Sequence, residues 1–329
     1  MHSSTLGDQI KYTRYADKMG FDSVWVTESQ LENDAFSLLG SMAAVTKRIR
    51  LGTGVVNNWT RGPALMALTL ATLHEISKGR VMLGIGAYWD PLASKQGIQR
   101  KKPLKAMREY LAVVRRLLNL ETVTLEGEIV KVRDLRLDLA YGSPWKPKNV
   151  PIYIGATGLK MAELAGEITD GILLNACLPV EYTRKCVDSM REGAKKAGRD
   201  ADKLARPQLL AFSMMKDGDK ARRIAKQLVA LYLGMVPHFR PIATESGIKE
   251  ELMDEIGGLL GEWPANKSRM DEAIKLVDDK TVDLLTVSGT PDECRRRIRQ
   301  YLKVGVTLPI LAVLSPNVPE VIREFSSQA

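Results

Sequence analysis

Five short apolar runs in this chain end in groups that could do chemistry: Ser23–Thr27 in Glu28 and Ser29, Leu51–Val56 in Asn57, Asn58 and Arg61, Arg80–Gly84 in the loop to Asp90, Pro151–Gly155 in Ala156, Thr157 and Gly158, and Gly171–Leu174 in Asn175. Polar clusters at the carboxyl ends of parallel strands are where α/β sheets and barrels hold ligands. Gly52 and Gly54 lie inside an apolar run, and glycine there marks a bulge or a close approach to the backbone. Gly155–Ala156–Thr157–Gly158 sits between a strand and a helix start. Its small residues let an anion reach the backbone amides, and the helix dipole favours negative charge. The same turn also reads as a plain connection with Thr157 as the helix N-cap. Glu28 can act as an acid or a hydrogen-bond acceptor, and it can equally cap the next helix. Asp90 is either a loop acid with a role in proton transfer or a solvated aspartate. No His–carboxylate–nucleophile set is visible, so hydrolysis by a triad has no support.

Composition narrows the class. The chain has 329 residues, 45% of them apolar, and three cysteines with no CxxC and no Cys/His spacing suited to a metal. That usage fits a reducing cytoplasm rather than a disulfide framework, and no metal is expected. No apolar run reaches the ~18 residues of a membrane span. The net charge is +9, but Lys and Arg are scattered at helical spacing and aromatics are only 6%. Solvated helix faces account for that pattern better than a nucleic-acid surface does.

The elements that position these groups alternate. Helix Leu6–Lys18 is followed by strand 23–27, helix Ala35–Thr46, strand 50–56, helix Ala64–Ser77 and strand 80–84. A long helix, Leu104–Leu118, precedes a hairpin-like stretch over Glu121–Leu137 and a Pro-rich linker, Gly142–Val150. Strand and helix then alternate through 151–233, residues 236–280 are mainly helical, and helix Pro291–Val304, strand Leu308–Val313 and a helix near Val318–Phe325 close the chain. Such alternation makes a parallel sheet with helices outside. No GxGxxG opens a helix after a first strand, so a dinucleotide-binding sheet is not favoured. The expected fold is a single TIM (β/α)8 barrel domain over 1–329 with a helical insertion at 236–280. Seven principal strands are countable, with Val282–Val287 read as a short connector. The absent strand is the first, since the chain starts almost directly in a helix. About ten further N-terminal residues would supply it, because a strand takes ~5–6.

Five segments together resemble the bacterial luciferase-like superfamily: DKMGFDSVWVTES (17–29), IRLGTGVVNNWTRGPALMA (49–67), LHEISKGRVMLGIG (73–86), VPIYIGATGLKMAELAGEITDGILLN (150–175) and SGTPDECRRRIRQYLKVGV (288–306). Within it the chain is most similar to the branch that uses the deazaflavin coenzyme F420, near methylenetetrahydromethanopterin reductase. The resemblance covers nearly the whole chain from residue 5. It implies a barrel with an insertion, whose first strand is the one not found here, and a homodimer or larger oligomer.

The resemblance also implies roles. Gly54–Val55 matches a bulge with a non-prolyl cis peptide that backs the cofactor ring. Gly155, Ala156, Thr157 and Gly158 match the turn that binds the cofactor phosphate. Asn57, Asn58 and Asn175 suit hydrogen bonds to a flavin-like pyrimidine edge. Relatives often carry Asp-His where this chain has Glu28-Ser29. In the reductase the loop after RVMLG carries an acid where this chain has Trp89, with Asp90 one position on, and another acid lies on the strand absent here. Tyr88 and Trp89 suit an apolar pocket for a ring-bearing substrate. The leading expectation is an F420-dependent oxidoreductase moving hydride between reduced deazaflavin and a small molecule, with Glu28 and Asp90 as catalytic candidates. The alternatives are an FMN-dependent monooxygenase of the same superfamily and a non-catalytic barrel relative.

Overall fold

The computed structural model describes residues 5–28, 31–137 and 146–326. Ser29 lies outside them. Its main sheet is parallel and contains β1 (Ser23–Val26), β2 (Arg50–Thr53), β3 (Val56–Asn57) and β4 (Val81–Gly86); a separate antiparallel hairpin, β5 (Val123–Glu126) and β6 (Lys131–Leu135), follows; the sheet then resumes with β7 (Ile152–Ala156), β8 (Gly171–Leu174), β9 (Pro207–Met214), β10 (Val287–Gly289) and β11 (Leu308–Val313). The order is β1-β2-β4-β7-β8-β9, with β3 continuing β2 along β4 and β11 beside β9. The hairpin falls where alternating apolar residues around Gly127 place it.

Val282–Val287 resolves into helix Asp279–Leu285 and the three-residue β10. β10 has a place because β9 outruns β8. Leu174 pairs with Gln208 at the start of β9, whereas Val287 pairs with Phe212 near its end. Phe212 also pairs with Val313 of β11, so β10 fills the side that β8 leaves. The loop expected after Gly84 gives way at Asp90 to helix Asp90–Lys95. Six residues are too few to show a helical period.

The sheet curls around an inner layer of Trp25, Met82, Tyr153 and Leu173, with Val55, Leu209, Leu308 and Ile310 against it. The Trp25 and Tyr153 rings lie 5.8 Å apart. Gly52 is needed under the indole, since a Cβ there would sit 2.5 Å from Trp25 Cε3. The larger core lies between sheet and helices and runs from Leu39 and Leu70 through Met107 and Ile154 to Tyr301. Burying each such side chain stabilises the fold by about 1.5–3 kcal/mol before entropy is counted.

Among the described residues, β1 pairs with β2 alone and β11 with β9 alone, so the curled sheet is open between them. Leu308–Ala312 are all apolar yet only half-buried. Pro309, which cannot donate to a ladder, is tolerated because β11 is an edge.

Helix ends follow their capping residues. Helices Leu6–Lys18 and Pro291–Lys303 both start in capping boxes, Thr5 with Asp8 and Thr290 with Glu293. At the amino ends of the strands, arginines close the helix carboxyl ends: Arg80 donates to the Ala43, Thr46, Ile49 and Ser77 carbonyls, Arg199 to those of Gly166 and Thr169, and Arg206 to those of Ala201, Leu204 and Gly305. Each satisfies carbonyls that a helix terminus leaves without partners.

Candidate active site at the carboxyl ends of the strands

The interruption between β2 and β3 organises the rim. Gly52 pairs with Met82 and Val56 with Ile85, so four residue steps lie opposite three. One extra residue is a bulge. Thr53 closes the gap, its hydroxyl donating to the Gly84 carbonyl at 2.7 Å and accepting the Gly84 amide at 2.9 Å. Only glycine fits at 84, because a Cβ would collide with the Thr53 carbonyl oxygen. The Gly54–Val55 peptide is cis, as the resemblance implied. Its flanks are tied to β1: the Gly54 amide donates to Val26 O at 2.8 Å, and the Glu28 amide to Val55 O at 3.1 Å. Val55 projects between the ends of β4 and β7. A Cβ on Gly86 would stand 3.0 Å from its Cγ2, and one on Gly155 2.6 Å from its Cγ1. The glycines of two neighbouring strands therefore make the room that this valine occupies.

Glu28 follows β1 and is held by Arg61, whose Nη1 donates to both carboxylate oxygens at 2.8 and 2.6 Å. The pair is largely shielded, with side-chain exposures of 17% for Arg61 and 16% for Glu28. Arg61 also bonds Asp34, stacks its guanidinium 5.1 Å above the Phe36 ring, and has its carbonyl fixed by the Tyr110 hydroxyl at 2.9 Å. Burial pushes the Asp34 pKa up, but bonds from Ser37 and the Arg61 charge outweigh it and hold the carboxyl below its ordinary range. Asp90 is in a different setting: it opens helix Asp90–Lys95, is 70% exposed and pairs with Arg100. The Arg100 hydrogen bond lowers its pKa. Both candidate acids thus have a guanidinium partner.

The turn after β7 lacks the cap that the plain reading required. Gly158, not Thr157, is the N-cap of helix Leu159–Ile168, and no side chain caps that helix. A Cβ on Gly158 would meet nothing within 4 Å, so there is room beside the helix start. The Thr157 carbonyl accepts the Tyr182 hydroxyl at 3.1 Å, and its Oγ1 accepts Asn175 Nδ2 at 3.4 Å. Thr157 and Asn175 therefore meet across the β7 and β8 ends. Asn57 stands apart from that pair: its Oδ1 takes the Trp59 and Thr60 amides, both at 2.9 Å, and shapes its own loop. Asn58 is buried with no partner for Oδ1.

Aromatic residues border the rim. Trp59 donates from Nε1 to the Ala87 carbonyl at 3.1 Å, and Trp89 meets Trp263 edge-on at 6.0 Å. Tyr88 takes a positive φ of 69°. Tyr182, Tyr232 and Trp263 escaped the sequence reading. They lie on helices or in a loop remote in sequence from the strand ends, and no local pattern points to them. Cys177, Cys186 and Cys294 are buried free thiols, and burial raises the pKa of each, Cys186 and Cys294 to about 12. Among the described residues no group of three or more His, Cys, Asp or Glu is arranged to hold a metal, and no helix is long and apolar enough to cross a membrane.

Three comparisons bear on this geometry. The family model of the luciferase-like monooxygenases matches residues 1–308. The chain is 35% identical to the 5,10-methylenetetrahydromethanopterin reductase of Methanolobus tindarius over 315 residues, covering 95% of this chain and 92% of that one. It is also 35% identical to the enzyme of the same name from Archaeoglobus fulgidus over 296 residues, with 90% and 86% covered. The solved coenzyme F420-dependent tetrahydromethanopterin reductase of Methanopyrus kandleri superposes with a TM-score of 0.87 at 28% identity, covering 98% of this chain and 94% of that one.

Proposed function

The chain belongs to the luciferase-like monooxygenase family, and from that premise we propose that it is an F420-dependent oxidoreductase acting on a pterin-type one-carbon carrier. The observation that carries this reading is the uncapped helix start at Gly158 beside the Thr157 hydroxyl. A helix N-terminus with no side-chain cap and room beside it suits a phosphate. F420 bears a phosphate, and relatives whose names carry F420 match nearly the whole chain.

In this reading Thr157, Gly158 and the first amides of helix Leu159–Ile168 hold the phosphate, with Gly155 and Ala156 bringing the backbone close. Gly54 and Val55 form the shelf behind the ring, fixed by Thr53, Gly86 and Gly155. Asn58, whose buried Oδ1 has no partner, and the free Nδ2 side of Asn57 face the pyrimidine edge. When bound, the reduced deazaflavin supplies the hydride; the protein positions and shields it. Trp59, Trp89 and Tyr88 give the substrate rings an apolar wall. Glu28 and Asp90, each paired to an arginine, act as anchors that set the rim loops. Water is kept from the inner face by Trp25, Met82, Tyr153 and Leu173.

The sheet is read as a (β/α)8 barrel of the luciferase-like type with one strand lacking at the β1–β11 seam, and 236–280 as its insertion. The protein is read as cytoplasmic and as a homo-oligomer. Helices Ala35–Val45 and Pro63–Ser77 pack on each other and carry almost no charge, yet expose Val45, Leu65, Leu68 and Ile76. A helix apolar all round is a buried one, and a second copy of the same face is its simplest cover.

The test is hydride transfer itself. Purified protein with reduced F420 and methylenetetrahydromethanopterin should regenerate the deazaflavin absorbance with saturation in both reactants. FMN-dependent turnover with oxygen in its place would move the assignment to the monooxygenases.

A further inference from the structure

Behind the Thr157 turn a chain of hydrogen bonds runs from helix Gly218–Met235 to the candidate phosphate site. Its middle member is Asn175. The Ala176 amide reaches one atom of the Asn175 carboxamide at 2.8 Å. A backbone N–H can only donate, so that atom is the oxygen. The Tyr232 hydroxyl meets the same oxygen at 3.4 Å and must also donate. With both lone pairs of Oδ1 engaged, the carboxamide cannot flip, and Nδ2 faces Thr157 Oγ1 at 3.4 Å. A threonine oxygen that accepts one bond has its own proton to give in another direction. The Thr157 backbone is pinned separately, by Tyr182 on its carbonyl.

Tyr232 is itself held. The Phe239 ring stands edge-on to it, centroids 5.4 Å apart, and Phe239 is buried in the first turn of the 236–280 segment. Burial raises the pKa of the Tyr232 phenol, so it stays a neutral donor at any physiological pH.

We infer that Tyr232 is a positioning residue for the cofactor phosphate: through Asn175 it turns the Thr157 hydroxyl proton outward, toward the anion. This rests on the phosphate reading of the 155–158 turn. It makes Asn175 a part of the aiming device and couples the helical segment, through Phe239, to cofactor grip.

The experiment compares two ligands on the full chain by fluorescence titration: F420, and FO, the same ring and ribityl chain without the phosphate and the lactyl-glutamyl tail it carries. Wild type should bind F420 at least about tenfold tighter, as hydrogen bonds to a charged group provide. Tyr232→Phe should weaken F420 about three- to tenfold, the range of one neutral hydrogen bond, and leave FO unchanged. Turnover at saturating F420 should not move. Thr157→Val, on a half-buried turn, keeps the test open should the tyrosine variant fold poorly. It should cost F420 about tenfold or more, and the double variant should be no worse than Thr157→Val alone. Equal loss of both ligands in Tyr232→Phe, no loss of either, or additive losses in the double variant would overturn the inference. Equal binding of F420 and FO by wild type would instead overturn the phosphate reading, and this one with it.

Discussion

The two ends of the strands are built on opposite rules. At the amino end arginines and an aspartate answer buried backbone groups. Arg80, Arg199 and Arg206 each serve two or more carbonyls, and the Asp17 carboxylate accepts the amides of Lys47, Arg48 and Ile49 at 2.7–2.9 Å. Burial pushes the Asp17 pKa up, but those three amides outweigh it and hold the carboxylate charged. At the carboxyl end the accounting is left open. Asn58 Oδ1 and Trp89 Nε1 are buried without partners, helix Leu159–Ile168 starts uncapped, and Tyr88 and Cys177 take positive φ. Buried polar groups are nearly always paired in native proteins. Asn58 and Trp89 flank the rim where, on the proposed reading, a ligand completes the structure, while the arginine-lined end holds the fold together.

The largest expected effect breaks the amino end. Arg80→Ala strips partners from carbonyls of two helices and should lower stability by about 3 kcal/mol, the scale of several bonds from a charged donor. Thermal unfolding would show it, and F420 affinity of the folded fraction should not change. A smaller effect belongs to the rim. Gly155→Ala drives a Cβ into Val55 and should weaken cofactor binding by about 2 kcal/mol, the usual cost of overpacking, with a lesser loss of melting temperature.

A third expectation concerns pH. The Thr290 amide and the Arg222 guanidinium hold the Glu293 pKa at about 2, below its ordinary value of 4.5. A depressed folded pKa means that the stabilisation is fully present above pH 4.5 and fades as pH falls toward 2. The partly exposed carboxylate is screened, so about 1–2 kcal/mol is at stake. The stability gap between wild type and Glu293→Gln should therefore be flat near pH 6 and close in acid, while a gap independent of pH would remove the charge from the account. The smallest effect on fold or chemistry is expected from Leu65→Lys with Leu68→Lys, which should leave each copy folded and, on the proposed self-association through this face, shift sedimentation to the monomer.

Much of this was legible in the sequence, for physical reasons. Alternating apolar runs and helical periods locate β7, β8 and the long helix Pro103–Leu118 within a residue or two. Gly52 and Gly54 announce an irregular strand because glycine inside a buried strand signals a bulge or a close approach to the backbone. What stayed hidden is what depends on pairing across the chain. Nothing near Glu28 says that Arg61, 33 residues later, closes on it. Asn57 and Asn58 look equivalent as neighbours, yet one shapes its own loop and the other is left with an orphaned oxygen. Tyr232 and Asn175 meet across 57 residues, and helix Asp90–Lys95 is too short to carry a period.

The most direct test of the central claim is titration of the purified chain with F420 and, in parallel, FMN, followed by fluorescence, for wild type and Gly155→Asp. The account predicts that wild type prefers F420 and that the added side chain and negative charge at the phosphate turn abolish the binding. Preference for FMN, or F420 binding untouched by Gly155→Asp, would contradict it.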